Sequence, residues 1–375
     1  MVAHTLLVLV LGTRPQIIKS APIIQQMLRQ RLDVKVIHTG QHYDYKLSKI
    51  FFEEMDLPEP YVNLEVGSGS HAYQTGETML RLEKVLMDLK PSLVLVPGDT
   101  NSALAGALVA VKMGIKVAHV EAGARSYDMS MPEEINRRII DHISSVLFAV
   151  SEGCVKNLKK ETVLGRIYLT GDTMFDVFLK HMPLASKSNI LKENALDPQT
   201  YAVLTLHRAE NVDNPLKLES IVKAIIQLSN MYVVFPVHPR TMSRLSSQGL
   251  LRKLEEAKHV KLLKPLGYHD ILKLESEAKL ILTDSGGVQK EAFWLKVPCI
   301  TLRENTEWME TVEFGANFLV GYDTNRIVST AKILTNDSHV RDKIKRLPNP
   351  YGNGRAAEKL VEFLLEYLNQ DLPPV

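Results

Sequence analysis

Residues 280–291 read Leu-Ile-Leu-Thr-Asp-Ser-Gly-Gly-Val-Gln-Lys-Glu, the pattern of a strand, a turn at Ser285-Gly286-Gly287 and the start of a helix. Backbone N–H groups that no side chain covers, added to the partial positive charge of a helix N-terminus, make a seat for an anion. Phosphate is the natural guest; a tight turn with no ligand is the competing reading. A second strand–helix turn, Gly12-Thr13-Arg14-Pro15-Gln16-Ile17-Ile18-Lys19, carries Arg14 and Lys19 near a helix start, where the macrodipole opposes cations. An anionic ligand would offset that repulsion, and two solvated surface charges are the alternative. Carboxylates gather at the ends of other apolar runs: Asp99 in Val-Pro-Gly-Asp-Thr (96–100) and Glu121 in His-Val-Glu-Ala-Gly (119–123). Glu133 and Arg137 lie four apart in Pro-Glu-Glu-Ile-Asn-Arg (132–137), a spacing that a plain ion pair also explains. His207 and Arg208 follow one more such run.

Two phosphate seats, three carboxylates and an imidazole suit a nucleotide-diphosphate ligand whose attached group undergoes acid–base chemistry. Glycosyl transfer is one option and reversible elimination another. When the C1–O bond of a sugar diphosphate breaks, charge grows on the leaving oxygens, where Arg14, Lys19, His207 and the turn at Ser285 can stabilise it. As C1 turns cationic, the C2 proton becomes removable by a carboxylate, and its return from the opposite ring face inverts C2. This chemistry requires no nicotinamide or other cofactor. The segment Gly67-Ser68-Gly69-Ser70-His71-Ala72 imitates a dinucleotide fingerprint, yet it lies outside the first strand–helix–strand unit and lacks the acidic partner. His38, His42, His71, His119 and His142 show no paired ligand spacing, so no metal is expected.

These groups need elements to hold them. Strand-like runs occur at 5–11, 34–38, 93–96, 116–120, 147–150 and 167–170, then at 201–206, 232–237, 260–263, 280–283, 298–302 and 317–320, with helical patterns between nearly all of them. Such alternation is the signature of parallel sheets buried on both faces. It pauses around 181–200, between His181-Met182-Pro183 and Asp197-Pro198, where a linker is placed. The fold class is therefore α/β: two doubly wound, Rossmann-like domains, 1–180 and 181–353, with an inter-domain cleft. A last helix over about 354–369 carries one apolar stripe (357, 360, 361, 364, 365, 368) that needs a surface to cover.

Composition narrows the partners. A chain of 375 residues predicts roughly two cores. With 45 Lys+Arg against 43 Asp+Glu, no electrostatic footprint for nucleic acid exists. The apolar run 5–11 is too short to span a membrane. Cys154 and Cys299 are the only cysteines, which excludes a disulfide framework and fits a reducing, cytoplasmic setting.

As a set and in this order, Gly-Thr-Arg-Pro with Lys19, His38-Thr39-Gly40-Gln41-His42-Tyr43, Gly98-Asp99-Thr100-Asn101, His119–Gly123, Pro132–Arg137, His207-Arg208 and Asp284–Gln289 resemble the non-hydrolysing UDP-N-acetylglucosamine 2-epimerases. The likeness spans residue 5 to about 365. It implies a GT-B-like domain pair with the last helix (354–375) crossing back onto the first domain. It also implies a cytoplasmic homodimer that interconverts UDP-GlcNAc and UDP-ManNAc through UDP and 2-acetamidoglucal. By the same resemblance, Arg14 and Lys19 face the diphosphate and sugar; Asp99, Glu121 and Glu133 take acid–base and structural roles around C2, supported by Arg137. His207 binds the diphosphate and assists departure. Ser285, Gly286 and Gly287 hold phosphate oxygens, Glu291 the ribose hydroxyls, and Gly267 and Tyr268 lie near the uracil. Gln41 and His42 match positions of a site for an activating second UDP-GlcNAc. Two segments depart from the bacterial pattern: 67–76, and Thr306-Glu307-Trp308-Met309, where many members read Thr-Glu-Arg-Pro. Both are similar to archaeal members and to relatives that epimerise UDP-2,3-diacetamido-glucuronate at C2, which is the alternative activity; a GT-B glycosyltransferase is the more distant one.

Overall fold

The computed structural model describes residues 5–41 and 52–370. The chain divides into two compact units, 1–179 with 350–375, and 180–349. The first is built on β1 (Leu7–Leu11), β2 (Val34–His38), β3 (Val62–Asn63), β4 (Leu93–Pro97), β5 (Lys116–Ala122), β6 (Val146–Ala149) and β7 (Arg166–Leu169), in the spatial order β3-β2-β1-β4-β5-β6-β7. The second uses β8 (Tyr201–Thr205), β9 (Tyr232–Pro236), β10 (Val260–Leu263), β11 (Leu280–Thr283), β12 (Cys299–Thr301) and β13 (Asn317–Leu319), in the order β10-β9-β8-β11-β12-β13. Every pairing within the described strands is parallel.

Composition explains which strands are central. β1 is Leu-Val-Leu-Val-Leu and β4 is Leu-Val-Leu-Val-Pro, buried at every position, as a parallel strand with helices on both faces must be. Burying one such Leu or Val is worth roughly 1.5–3 kcal/mol, so these strands are the rigid bases on which the following turns are mounted. In each sheet the strand order reverses once, between β1 and β4 and between β8 and β11. Open α/β sheets bind ligands at the carboxyl ends of the strands flanking that reversal.

Three local features differ from the sequence expectation or add to it. β3 has only two residues, paired through Ile37↔Val62 and His38↔Asn63, too short to leave a periodic signal. The stretch 181–200, read as a linker, is partly helical: a helix runs Thr173–Ala185, with Pro183 in its last turn, and a short one covers Ile190–Glu193. In the first unit, the final helix, Ala356–Gln370, packs on the helix Arg14–Arg29 and buries Ala357, Leu360, Val361, Leu364 and Leu368. The Asp176 carboxylate caps it, accepting the N–H groups of Ala356 at 3.0 Å and Ala357 at 2.8 Å.

Candidate functional site

At the reversal in the first unit, Gly12 follows β1, and a Cβ there would collide with the hydroxyls of Ser102 and Thr39. The helix that starts at Arg14 is stitched to β4 by a buried amide. Gln16 Oε1 accepts the Gly12 N–H at 2.8 Å, while its Nε2 donates to the Pro97 carbonyl at 2.8 Å. Arg14 is exposed at the helix start. One turn on, Lys19 forms an ion pair with Glu121 at the end of β5, both side chains largely buried. Gly98 lies beside that pair: its φ is +70°, and a Cβ there would stand 3.1 Å from Lys19 Nζ and 3.5 Å from Glu121 Oε2. Glu121 itself holds φ 72°, at a register shift between Val120 and Ala122. For a residue with a Cβ that conformation costs of order 1–3 kcal/mol, and such outliers concentrate at functional sites.

The neighbouring carboxylate, Asp99, pairs with Arg137. Arg137 also reaches Glu134 at 2.8 Å, and Glu134 accepts from the Ser126 N–H at 2.9 Å and from Arg138 Nε at 3.1 Å. Burial alone would raise the pKa of Glu134, but the Ser126 N–H, Arg137 and Arg138 together pull it below the usual carboxylate range. Glu133 is half-buried on the same helix, Pro132–Ile143. Beyond Asp99 the edge turns uncharged: Asn136 Nδ2 donates to the Asp99 carbonyl at 2.8 Å, Asn101 Nδ2 to Gln74 Oε1 at 2.8 Å, and the Ser102 hydroxyl to Gln41 Oε1 at 2.6 Å. His42 lies outside the described residues.

In the second unit the organising group is the buried Asp284 carboxylate at the end of β11. It accepts the backbone N–H groups of His207 at 3.1 Å and Arg208 at 2.9 Å, and Asn211 Nδ2 at 3.3 Å, so it shapes the turn after β8. The His207 ring stands 3.8 Å from Asp284 and 6.0 Å from the ring of His238, centroid to centroid. Desolvation lowers the His207 pKa further than Asp284 raises it, and Arg208 adds to the lowering. His238 is lowered too, by desolvation and then by His207 and Arg240.

The helix Gly286–Leu295 begins beside these rings, with Ser285 as its N-cap making no side-chain cap bond. Gly287 is exposed, and a Cβ there would meet only Ser285 Oγ, at 3.8 Å. On Gly286 a Cβ would come within 3.1 Å of the Trp308 indole nitrogen. Lys290, 2% exposed, places its ammonium 3.8 Å from the Trp308 ring centroid, so a cation stands at the departing Trp308 segment. Glu291 is buried on this helix, and burial pushes its carboxyl up to about 7, against the nearby Tyr268 hydroxyl and the charge of Lys290. Gly267 is the exposed N-cap of the helix Tyr268–Ser276.

Thus Arg14, Lys19, Gln41, Asp99, Glu121, Glu133 and Arg137 fall in the first unit, and His207, Gly267, Tyr268, Ser285, Gly286, Gly287 and Glu291 in the second. Side-chain contacts join Lys19 to Glu121 and Asp99 to Arg137. Sequence reasoning missed Gln16, Glu134, Asp284 and His238 as functional residues. Gln16 had a readable signal, since Thr-x-x-Gln at a helix start is a capping-box pattern. For Asp284 the local sequence shows only one more acidic residue after a strand. No group of three or more His, Cys, Asp or Glu suited to a metal occurs among the described residues, and among them no helix is long and apolar enough to cross a membrane.

The family model described as UDP-N-acetylglucosamine 2-epimerase matches residues 26–365. The UDP-N-acetylglucosamine 2-epimerase of Methanocaldococcus jannaschii is 48% identical over 363 residues, 95% of this chain and 98% of that protein. Its crystal structure, in complex with UDP-GlcNAc and UDP, superimposes with a TM-score of 0.88, covering 96% of this chain and 100% of that one at 47% identity. The UDP-2,3-diacetamido-2,3-dideoxy-D-glucuronate 2-epimerase of Pseudomonas aeruginosa is 41% identical over 361 residues, 95% of this chain and 98% of the relative. Phytolacca americana UGT2, solved with UDP-2fluoro-glucose and pterostilbene, shares the GT-B-like fold alone, with a TM-score of 0.65 at 12% identity over 98% of this chain and 100% of that one.

Proposed function

Because the chain belongs to the UDP-N-acetylglucosamine 2-epimerase family, a family of isomerases, we infer that it interconverts UDP-GlcNAc and UDP-ManNAc by eliminating UDP and adding it back. The observation that carries this reading is the pair of carboxylates on the adjacent strand ends of β4 and β5. Asp99 and Glu121 are each matched to a cation of their own, Arg137 and Lys19, with the side-chain-free Gly98 letting the turn lie close against the Lys19–Glu121 pair. Two separately supported carboxylates are what a proton removed from one ring face and returned to the other requires.

In the forward direction, the C1–O bond to the β-phosphate breaks with its electron pair leaving on UDP, and the C2 proton passes to a carboxylate of the Asp99, Glu121 and Glu133 set. The product is 2-acetamidoglucal. Return of UDP to C1, with a proton delivered to the opposite face of C2, gives the epimer. Arg14 and Lys19 stabilise the departing diphosphate, Ser285, Gly286 and Gly287 bind its oxygens through their backbone, and His207 assists its departure. Glu291 takes the ribose hydroxyls, with Gly267 and Tyr268 at the uracil. Gln41, hydrogen-bonded to Ser102, is assigned with His42 to an activating second UDP-GlcNAc. Incubation with UDP-GlcNAc in deuterated water should place one deuterium at C2 of both recovered sugars; retention of protium through equilibration would reject the mechanism.

The 41% identity to the diacetamido-glucuronate epimerase supports a second substrate reading with the same chemistry at C2. Side-by-side kcat/KM values for the two nucleotide sugars decide between them. We also assign a homodimer. Tyr73, Leu80 and Met87 recur every seventh residue along the helix His71–Leu89 and are exposed. Val111, Ile135 and Ile139 are exposed on the next two helices packed in series, Asn101–Lys112 and Pro132–Ile143. Such an apolar face suits a second copy. Two buried free thiols, Cys154 and Cys299, fit a cytoplasmic setting.

A further inference from the structure

Behind Glu121 lies a buried ionic group that the reaction described above does not use. Asp141, on the helix Pro132–Ile143, is 0% exposed. Its Oδ1 meets His119 Nδ1 at 2.6 Å; its Oδ2 accepts the Gly123 N–H at 3.1 Å and stands 2.7 Å from Arg125 Nη2. Arg125 is itself bidentate on Glu161, at 3.0 and 2.6 Å. His119 and Gly123 are the residues two before and two after Glu121. Gly98 is tied to the same strand end at both of its polar groups. Its N–H donates to the Val120 carbonyl at 2.9 Å, and its carbonyl accepts from His119 Nε2 at 2.8 Å. Gly123, at φ +82°, has no room for a Cβ against the Cys154 carbonyl. One carboxylate therefore holds the chain on both sides of the left-handed Glu121 and, through His119, the glycine beside which Lys19 and Glu121 meet. A strained residue persists only where its surroundings over-determine it, and here Asp141 is the shared point of those surroundings.

We propose that Asp141 is a positioning residue for Glu121: by clamping His119 and Gly123 it makes the bulged end of β5 present the Glu121 carboxylate to Lys19 and to a bound sugar. The inference rests on the reading of Glu121 as an acid–base group. An asparagine at 141 keeps the shape but removes the negative charge shared by His119 Nδ1, the Gly123 N–H and Arg125, leaving a weaker, neutral acceptor in the clamp.

The test is a double-mutant cycle on the full-length enzyme, measuring kcat and KM for UDP-GlcNAc and the affinity for UDP. Asp141→Asn should lower kcat about 10- to 100-fold with KM and the UDP Kd within about three-fold, the split expected when only the acid–base step is disturbed. Glu121→Asp should be slower than the wild type by about 100-fold, and adding Asp141→Asn to it should cost less than about three-fold more. Losses that multiply in the double variant, or an unchanged kcat in Asp141→Asn, overturn the proposal. His119→Gln, expected to follow the same pattern, keeps the test decisive where Asp141→Asn does not fold. A slow Glu121→Asp with multiplying losses refutes the role of Asp141 alone. Wild-type turnover in Glu121→Asp instead refutes the reading of Glu121, and the clamp with it.

Discussion

Glu275 is a fully buried carboxyl with neither oxygen hydrogen-bonded, and it shares its surroundings with Glu291. Burial, and then the charge of Glu291, raise its pKa well above the ordinary value, while Glu291 is pushed up to about 7. A folded-state pKa raised above the unfolded one means that the fold binds the proton more tightly. The associated stability is fully present below the unfolded value and is lost as pH rises through the folded one. For each such group the loss is about 1.4 kcal/mol per pH unit across that window. Glu275→Gln, neutral at every pH, should leave the Tm near wild type at pH 4 and raise it at pH 8; equal lowering at both would show that the amide disturbs packing instead. At the carboxylates of the other unit, Asp99→Asn and Glu121→Gln should reduce kcat by at least about 100-fold while UDP binding, measured by calorimetry, changes little. Wild-type-like turnover in Glu121→Gln would remove that residue from the mechanism.

Elements differ in how firmly their ends are determined. Gly123 closes β5 in a conformation and a space that exclude a side chain, so Gly123→Ala should cost about 2 kcal/mol or more in chemical denaturation and slow turnover by moving Glu121. Gly76, inside the helix His71–Leu89, has nothing within 4 Å of where a Cβ would go. There, in the protein kept monomeric by Leu80→Glu with Met87→Glu, Gly76→Ala should instead gain up to about 1 kcal/mol from helix propensity. A denaturation midpoint that falls in Gly76→Ala would contradict the open space. These ends also show how far the sequence could be read. β1, β4, β8 and β11 are legible because a strand buried on both faces must be a continuous apolar run. β3 is not, because two residues on a sheet edge carry no period. The Asp141 clamp is equally silent: an acidic residue late in an amphipathic helix reads as surface, and only its burial shows otherwise.

At the scale of the molecule, the exposed apolar row Tyr73, Leu80 and Met87 bears on assembly. Leu80→Glu with Met87→Glu should convert a dimer to monomers in light scattering, with secondary structure retained, because charges placed at the centre of an apolar contact must be desolvated. A dimer that persists unchanged would move the interface elsewhere. The chain's alternation of apolar runs and amphipathic helices determined the parallel α/β class and the strands that end in glycine turns, since burial and turn chemistry are properties of short segments. Which charge meets which was decided only by the tertiary structure. Lys19 and Glu121 are 102 residues apart and Asp99 and Arg137 are 38 apart. Such pairs arise where strand order brings separate turns to one sheet edge, and strand order leaves no mark on the spacing of residues along the chain.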